Sequence, residues 1–206
     1  MLSFLKKIRK IIIPHWTDLW NEITSFSESA NVLHLGPGNS KIENTISVDI
    51  KSKNNPTIIW DLNKTPWPFE ENFFDNIIAM NVIEHLEDTV SIMREIHRVL
   101  KPNALVNILV PHFSSAAAFV DPTHKSFFSY RSFDYFILGN NSLQKEYGFY
   151  EEFRFEFVRS DIHLAAFWRY VPLVLFLVRT FPKIWEEYFC YLIRGEGIFF
   201  QLRVKK

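Results

Sequence analysis

Short apolar runs rich in β-branched residues recur through the first half of the chain, and helical patterns separate them. Such runs are typical of strands, which we predict near residues 32–35, 45–48, 57–60, 76–80 and 104–110. The clearest helical pattern lies between the last two runs and ends at Lys101 and Pro102. Strands that alternate with helices predict an α/β fold with parallel strands and crossover helices.

The second half of the chain adds two strand patterns and one helical segment. The alternation in EFRFEFVRSDI (152–162) predicts a half-buried strand, and GIFFQLRVKK (197–206) reads as a terminal strand. Between them, residues 164–194 are apolar and predict a helical insertion before the last strand. Its longest uncharged stretch, residues 170–178, is too short to span a membrane. Core helices and a surface for lipid or a partner protein remain the two interpretations of this insertion.

Composition limits the class of protein. A chain of 206 residues is long enough for one sizeable core. Lysine plus arginine (23) balance aspartate plus glutamate (23), which argues against a nucleic-acid partner. The single cysteine, Cys190, cannot form an internal disulfide or a cysteine-based zinc site, and a reducing cytoplasm fits this usage.

The N-terminal segment is basic and amphipathic. Residues 1–13 place apolar side chains on one helical face and basic side chains largely on the other. Only Ile11–Ile13 separate Lys10 from Pro14, which is too short for the apolar region of a signal peptide. Such a helix can lie on an anionic membrane surface or pack on the domain, and both interpretations stay open.

Two glycines follow the first predicted strand, and an aspartate ends the second. In NVLHLGPGNSKIENTISVDI (31–50), Gly36 and Gly38 permit a sharp turn and leave room for a ligand against the backbone. Asp49 would project into the same crevice, where a carboxylate can accept hydrogen bonds from both hydroxyls of a ribose. The pattern predicts a cofactor that contains a nucleoside, and a tight turn with a helix cap is the structural alternative. Lys41 stands where a dinucleotide-binding loop has its third glycine.

Further motifs follow in a characteristic order. They are L-x-L-G-x-G-N at 33–39, V-D at 48–49, D-L-N at 61–63, P-F at 68–69, F-D at 74–75 and E-H-L at 84–86. Over about residues 31–136 the chain thereby resembles the class I S-adenosylmethionine-dependent methyltransferases, in particular a bacterial branch similar to methyltransferase type 11. The resemblance implies a Rossmann-like, seven-stranded, mostly parallel sheet flanked by helices.

The resemblance also implies S-adenosylmethionine as the cofactor and a role for each matching residue. The implied cofactor-binding residues are Gly36 and Gly38 under the methionine part, Asp49 on the ribose hydroxyls, Asp61 on the adenine amino group, Ile50 and Leu62 on the ring faces, and Asn81 beside the sulfonium. The chain departs from the family pattern at His34, where many members carry an acidic residue. Only thirteen positions separate Gly36 from Asp49, so we expect the first crossover helix to be about one turn long or missing.

Three histidines are candidates for a catalytic base. His124 in DPTH comes first, His112 in VPHF second, and His85 in IEHLED third, because we expect all three on the ligand side of the sheet. Their structural alternatives are a loop brace, the lining of a strand end and a helix cap, respectively. Related O-methyltransferases hold a metal at an E-x-x-E-H pattern, but Asn81 replaces the first carboxylate here, so we predict no metal.

The expected acceptor is a small molecule, a sugar or a lipid-linked glycan, methylated on a hydroxyl oxygen. We predict an N-terminal region at 1–30 and a methyltransferase domain at 31–206, with acceptor binding by the aromatic segment 111–150. Its aromatic residues expected to stack on the acceptor are Phe113, Phe119, Phe127, Phe128 and Tyr130. The alternative function is a catalytically inactive protein that acts as a membrane-associated partner of another enzyme. A cytoplasmic location is expected, and peripheral contact with the inner membrane face and homodimer formation stay open.

Overall fold

A computed structural model describes residues 16–27, 29–40, 42–138 and 153–206. The predicted amphipathic helix at 1–13 and the end of the predicted acceptor segment lie outside these ranges. The described residues fold around one seven-stranded sheet. Its strands are β1 (Val32–Leu35), β2 (Ile46–Asp49), β3 (Ile58–Ile59), β4 (Phe74–Met80), β5 (Leu100–Pro111), β6 (Arg154–Leu164) and β7 (Gly195–Lys205).

The strand order is β3-β2-β1-β4-β5-β7-β6. The first five strands pair in parallel, and β7 runs antiparallel to both β5 and β6. The strand order switches between β1 and β4, because the chain first adds β2 and β3 on one side of β1 and then β4 and β5 on the other. Open α/β sheets bind ligands at such a switch point, outside the carboxyl ends of the strands. The predicted fold class, a Rossmann-like and mostly parallel sheet of seven strands, is confirmed.

Helices flank the sheet and fill the insertion. They are α1 (Trp16–Ile23), α2 (Thr89–Val99), α3 (Ala117–Val120), α4 (Pro172–Thr180) and α5 (Pro182–Tyr188). The insertion before β7 is therefore helical, as predicted, and its two α-helices each begin at a proline, which suits a first helical position. Among the described residues between β1 and β2 there is no helix, which agrees with the short spacing. None of the helices in the described ranges is long and apolar enough to cross a lipid bilayer.

The two faces of the sheet are covered differently. On one face, Leu33 and Leu35 of β1 join a large core with the buried side of α2, including Ile92 and Ile96. On the other face, α1 packs Leu19 and Ile23 against Leu109 and Phe199. This second face also carries a row of amides across three strands, because Asn107 donates to Asn76 and accepts from Gln201, at 2.8 Å each.

The start of β5 differs from the prediction. Lys101 and Pro102 were expected to close the preceding helix, but they lie within the strand, which begins at Leu100. The helix ends at Val99, and Leu100 already pairs with Phe74 of β4. The next register partners are Leu105 and Asn76, so the intervening residues form an irregularity that accommodates the proline.

Candidate functional site

The glycine loop after β1 combines one packed and one open position. Gly36 and Gly38 both adopt a φ of +53°, a left-handed conformation that favours glycine. A Cβ at Gly36 would lie 2.5 Å from Cγ2 of Val82, whereas a Cβ at Gly38 would meet nothing within 4 Å. Gly36 thus permits close packing, and Gly38 leaves open space above the backbone. That space fits the predicted place of the cofactor's methionine part.

The Asp49 carboxylate closes the loop at the end of β2. One oxygen, Oδ2, accepts hydrogen bonds from the Gly38 amide at 3.3 Å and from Asn54 Nδ2 at 2.8 Å. The other, Oδ1, accepts from the Lys51 amide at 2.9 Å. A carboxylate offers about four acceptor positions. A ribose that donates two hydroxyls would therefore use the remaining position and compete with Asn54 for another.

The other predicted cofactor residues differ in exposure. The Ile50 side chain is 61% exposed and available to a ring, whereas Leu62 is buried in the main core. One oxygen of Asp61, Oδ1, accepts hydrogen bonds from the backbone amide and from the side chain of Asn63. Asn81 is exposed and left-handed, with a φ of +51°, and its amide donates to the Leu109 carbonyl.

A pocket of about 520 Å³, called the strand-end pocket below, opens where β4 and β5 end and β7 begins. Its lining residues are Asn81, Glu84, His85, Leu109, Pro111, Ala117, Val120, Asp121, His124, Glu196 and Gly197. Two of the three predicted catalytic histidines, His85 and His124, therefore meet in one pocket, together with Asn81. The carboxyl edge of the sheet is the expected place for such a pocket.

Glu84, His85 and His124 form a cluster within this pocket. One ligand atom from each of the three side chains lies within 4.8 Å of the others. The two imidazole rings meet edge to face, with 4.6 Å between their centres. The cluster joins the 3₁₀ turn Ile83–His85, which follows β4, to the loop after α3, which follows β5.

The hydrogen bonds of the two histidines indicate which nitrogens carry a proton. His124 Nδ1 lies 2.9 Å from the Ala118 carbonyl oxygen, which can only accept, so this nitrogen is the donor. His85 Nδ1 lies 2.9 Å from Oγ1 of Thr123, which itself donates to Asp121 at 2.7 Å. The Thr123 hydroxyl proton is thus used, and His85 Nδ1 donates as well. In the neutral rings both Nε2 atoms keep a lone pair.

Glu84 is the functional candidate that sequence reasoning missed, because it was recognised only as a motif position. Its side chain is 1% exposed, and neither carboxylate oxygen accepts a hydrogen bond from another described residue. The pKa of Glu84 is raised to about 7, mainly by burial and to a smaller extent by the nearby Asp121 charge, against the lowering effect of its own backbone amide. Burial lowers the pKa of His85, and the neighbouring His124 adds to this effect. The sequence shows Glu84 beside His85, but the approach of His124 depends on the fold.

His112 lies outside the pocket, which corrects its place as the second candidate base. The ring is fully buried, and its Nδ1 accepts from the Ser114 amide at 3.1 Å. Its Nε2 lies 3.0 Å from Glu186 Oε1 in α5, and Glu186 also accepts the amide of Tyr130. Both nitrogens are therefore used within the protein. A Cβ at Gly195 would lie 2.8 Å from the ring, so Gly195 permits this burial.

The described part of the aromatic segment divides into core and surface. Phe128 is buried and stacks on Phe133 with 5.6 Å between ring centres, which corrects its predicted contact with an acceptor. Phe119 and Phe127 are exposed and stack on each other at 4.7 Å. Of the five aromatic residues expected to bind an acceptor, this pair is the most accessible, and Phe113 and Tyr130 are half-buried.

One segment of the chain matches a known family of proteins. Residues 33–108 match the sequence model of a family described as a methyltransferase domain. None of the curated proteins matches the sequence. Residues 33–108 of this chain are thus similar to a methyltransferase domain. The match confirms the resemblance inferred from the motifs, and S-adenosylmethionine is the cofactor that this methyltransferase similarity implies.

Solved structures similar to the methyltransferase share its fold. A putative methyltransferase from Bacillus halodurans is 15% identical with a TM-score of 0.57, over 92% of this chain and 100% of that one. An S-adenosylmethionine-dependent methyltransferase from Mesorhizobium loti is 13% identical with a TM-score of 0.55, over 90% and 96%. The [4+2]-cyclase SpnF is 16% identical with a TM-score of 0.58, over 92% and 79%. At these identities the likeness shows the fold, and the name of the cyclase illustrates that one fold hosts different reactions.

The family match covers only part of the site of the methyltransferase. It includes the glycine loop, Asp49 and the Glu84–His85 pair. It ends before His124, before the stacked phenylalanines and before the helical insertion. The residues expected to choose the acceptor therefore lie outside the matched segment.

Proposed function

We propose that this methyltransferase transfers the methyl group of S-adenosylmethionine to a hydroxyl oxygen of a small-molecule, sugar or lipid-linked acceptor bound in the strand-end pocket. One observation carries the proposal. Two imidazole lone pairs converge with a carboxylate that has no hydrogen-bond partner on another described residue, in a pocket that also contains Asn81, the residue expected beside the sulfonium. Such groups suit the activation of a weakly acidic hydroxyl.

In this proposal the glycine loop and Asp49 hold the cofactor. Gly38 leaves space for the methionine part, Asp49 accepts the ribose hydroxyls, and Ile50 covers one face of the adenine. Asp61 and Leu62 keep their predicted roles at the adenine, where the buried Leu62 offers little more than its backbone and the edge of its side chain. S-adenosylmethionine supplies an activated methyl group, so the protein mainly has to align the acceptor oxygen with it.

The proposed chemistry at the acceptor depends on His85 and His124. Their Nδ1 atoms are held as donors, so each Nε2 can take a proton from the acceptor hydroxyl. His124 remains the first candidate for this role, and its hydrogen bond to Ala118 fixes the ring in the required tautomer. The exposed stacked pair Phe119 and Phe127 belongs to the same segment and offers an aromatic surface of the kind on which a sugar can pack.

We also propose that the helical insertion contacts a lipid surface. Large apolar side chains are exposed on both of its α-helices, namely Leu173, Phe176, Ile184 and Tyr188, and Tyr191 in the turn that follows is exposed as well. Apolar and aromatic side chains on this scale are typical of a membrane or partner contact. Vesicle sedimentation tests this: Leu173→Gln with Phe176→Gln should reduce binding to lipid vesicles. If the wild type does not sediment but is dimeric by light scattering, the face belongs to a second copy.

The alternative function, an inactive partner of another enzyme, makes a different prediction. Calorimetry of the wild type with S-adenosylmethionine and with its demethylated product should show binding of both if the proposal is right. Incubating the protein with a bacterial extract and cofactor labelled in its methyl group should then yield a labelled hydroxyl-containing product. Cofactor binding without any labelled product from several extracts would favour the partner function. No binding at all would contradict the methyltransferase proposal.

A further inference from the structure

The cluster in the strand-end pocket consists of side chains that can ligate a metal ion. It brings together one carboxylate and two imidazoles, with one ligand atom from each within 4.8 Å of the others. Ligands about 2.1 Å from a tetrahedral ion lie roughly 3.4 Å apart, so small rotations of these side chains would bring them to that spacing. Two imidazoles and one carboxylate form a common ligand set for divalent first-row transition metals.

The Glu84 carboxylate provides an independent reason to expect a ligand. It is 99% buried by residue surface, being only 1% exposed, and both of its oxygens lack a hydrogen-bond partner on any other described residue. A buried carboxylate without a partner is costly, because water can no longer solvate it. The main chain of Glu84 is fixed, since its carbonyl accepts the amides of Lys125 and Ser126. The turn thus holds an unsatisfied carboxylate beside the two histidines.

The outer hydrogen bonds of the two histidines point the same way. His124 donates Nδ1–H to the Ala118 carbonyl, and His85 donates Nδ1–H to Thr123, which in turn donates to Asp121. A histidine that ligates a metal through one nitrogen usually donates its other N–H to such a partner, which fixes the tautomer. Both rings of this cluster are held in that manner.

We propose that Glu84, His85 and His124 bind a divalent transition-metal ion, with the acceptor oxygen as a further ligand. This site goes against the expectation of no metal, which considered only Asn81 in the place of a first carboxylate. His124 replaces that carboxylate from a different loop. The acceptor role rests on the proposed function, but metal binding itself does not. A lone pair that ligates an ion cannot accept a proton, so ligation and the base role of His124 are alternatives.

The test uses the full chain, freed of metal by a chelator, with Co²⁺ and Zn²⁺ as probes and neither cofactor nor acceptor present. We expect one ion per chain by calorimetry and a visible Co²⁺ spectrum of nitrogen and oxygen ligation. Glu84→Gln and His124→Gln should each weaken binding at least about 100-fold, and Thr123→Val, which removes the acceptor for His85, about 10-fold or more. His97→Gln is the matched control, because His97 bonds to the Lys205 carbonyl away from the pocket.

Two measurements keep the proposal testable if a variant fails to fold. Circular dichroism and thermal melting check the fold of each variant. X-ray absorption of the zinc-loaded wild type should show two imidazole ligands. Wild-type protein that binds neither ion, or binds them equally well in Glu84→Gln and His124→Gln, would overturn the metal site. Cofactor binding is measured separately, so its absence with intact metal binding would count against the proposed function alone.

Discussion

Asp49 at the end of β2 and Glu84 after β4 lie at the same edge of the sheet, but they differ in the hydrogen-bond donors around their carboxylates. Asp49 is met by three N–H donors from the glycine loop and the next turn. Glu84 is buried and has no donor from another described residue. The first environment supplies three donors before any ligand arrives and leaves one acceptor position free. The second is incomplete among the described residues, so a ligand or a proton can complete it.

This difference separates two tasks within the site. A carboxylate that already has donors is held in a fixed position, which suits recognition of a constant ligand such as a cofactor. A buried carboxylate beside two imidazole lone pairs is poised for chemistry or for an ion. We therefore expect changes at the glycine loop to affect cofactor affinity, and changes at the strand-end pocket to affect turnover.

The largest expected effect is on turnover, at His124. His124→Ala should reduce methyl transfer by about 10² to 10⁴ fold, whether the lost nitrogen accepts a proton or holds an ion. Cofactor affinity, measured by calorimetry, should stay at the wild-type value. A variant that loses thermal stability together with activity would instead indicate a loop brace through Ala118. Wild-type turnover in the variant would remove His124 from the chemistry altogether.

The next largest effect concerns the buried histidine near the cofactor end. Burial lowers the pKa of His34 to about 4, and its Nδ1 has no hydrogen-bond partner among the described residues. The unfolded chain, with a pKa of about 6.5, binds the proton more readily than the folded protein. The free energy of unfolding therefore falls as the pH drops from about 6.5 to 4, by at most about 3 kcal/mol from this group.

His34→Leu should remove this pH dependence. Urea unfolding of both proteins at pH 7.5, 5.5 and 4.5 measures the difference, because all other groups titrate in both. The advantage of the variant should grow as the pH falls. A constant difference across this range would mean that protonated His34 has a hydrogen-bond partner in the folded protein. His34 would then differ from Glu84, whose oxygens have no partner on another described residue.

A smaller effect is expected for binding at Asp49. Asp49→Ala should weaken binding of S-adenosylmethionine by about 1 to 3 kcal/mol, because charged hydrogen bonds to the ribose are lost. Asn54→Ala is the matched control, since it removes a donor that competes with the ribose for Oδ2. Its affinity should equal or exceed that of the wild type. If both variants lose affinity alike, the carboxylate acts by ordering the loop.

The smallest effect is expected at the open glycine. Gly38→Ala should lower the free energy of unfolding by about 1 kcal/mol, because an L residue is strained at a φ of +53°. Its Cβ would project into the empty space above the loop, so cofactor affinity should fall as well. Denaturant unfolding and calorimetry measure the two losses. An affinity equal to that of the wild type would show that the cofactor does not approach this backbone.

Sequence reasoning predicted the local geometry around the candidate cofactor site, whereas the roles of its residues stay predictions. Gly36, Gly38 and Asp49 lie within one strand-loop-strand unit, so spacing along the chain reflects spacing in the fold. The short link between β1 and β2 could likewise be read from the number of residues. The order of the motifs led to the family resemblance, which the family match confirms, and the resemblance predicted the seven-stranded sheet.

Prediction failed where contacts join distant segments. His112 follows a strand that ends at the ligand edge, but helix α5 supplies Glu186 and buries the ring, and no local pattern signals this. Phe128 was placed at the acceptor by composition, whereas stacking on Phe133 places it in the core. Glu84 was overlooked because its significance depends on burial and on the arrival of His124, which only the fold determines.

The bonds of Glu186 have a consequence for how this enzyme can diversify. One carboxylate in the insertion joins His112, which follows β5, to Tyr130 further along the acceptor segment 111–150. Replacing the insertion by one that lacks Glu186 would leave the buried imidazole N–H of His112 without an acceptor. Replacing the acceptor segment alone would leave the Glu186 carboxylate without these two donors. We therefore expect the two segments to change together, so a search for natural variants with other acceptors should follow residues 112, 130 and 186 together.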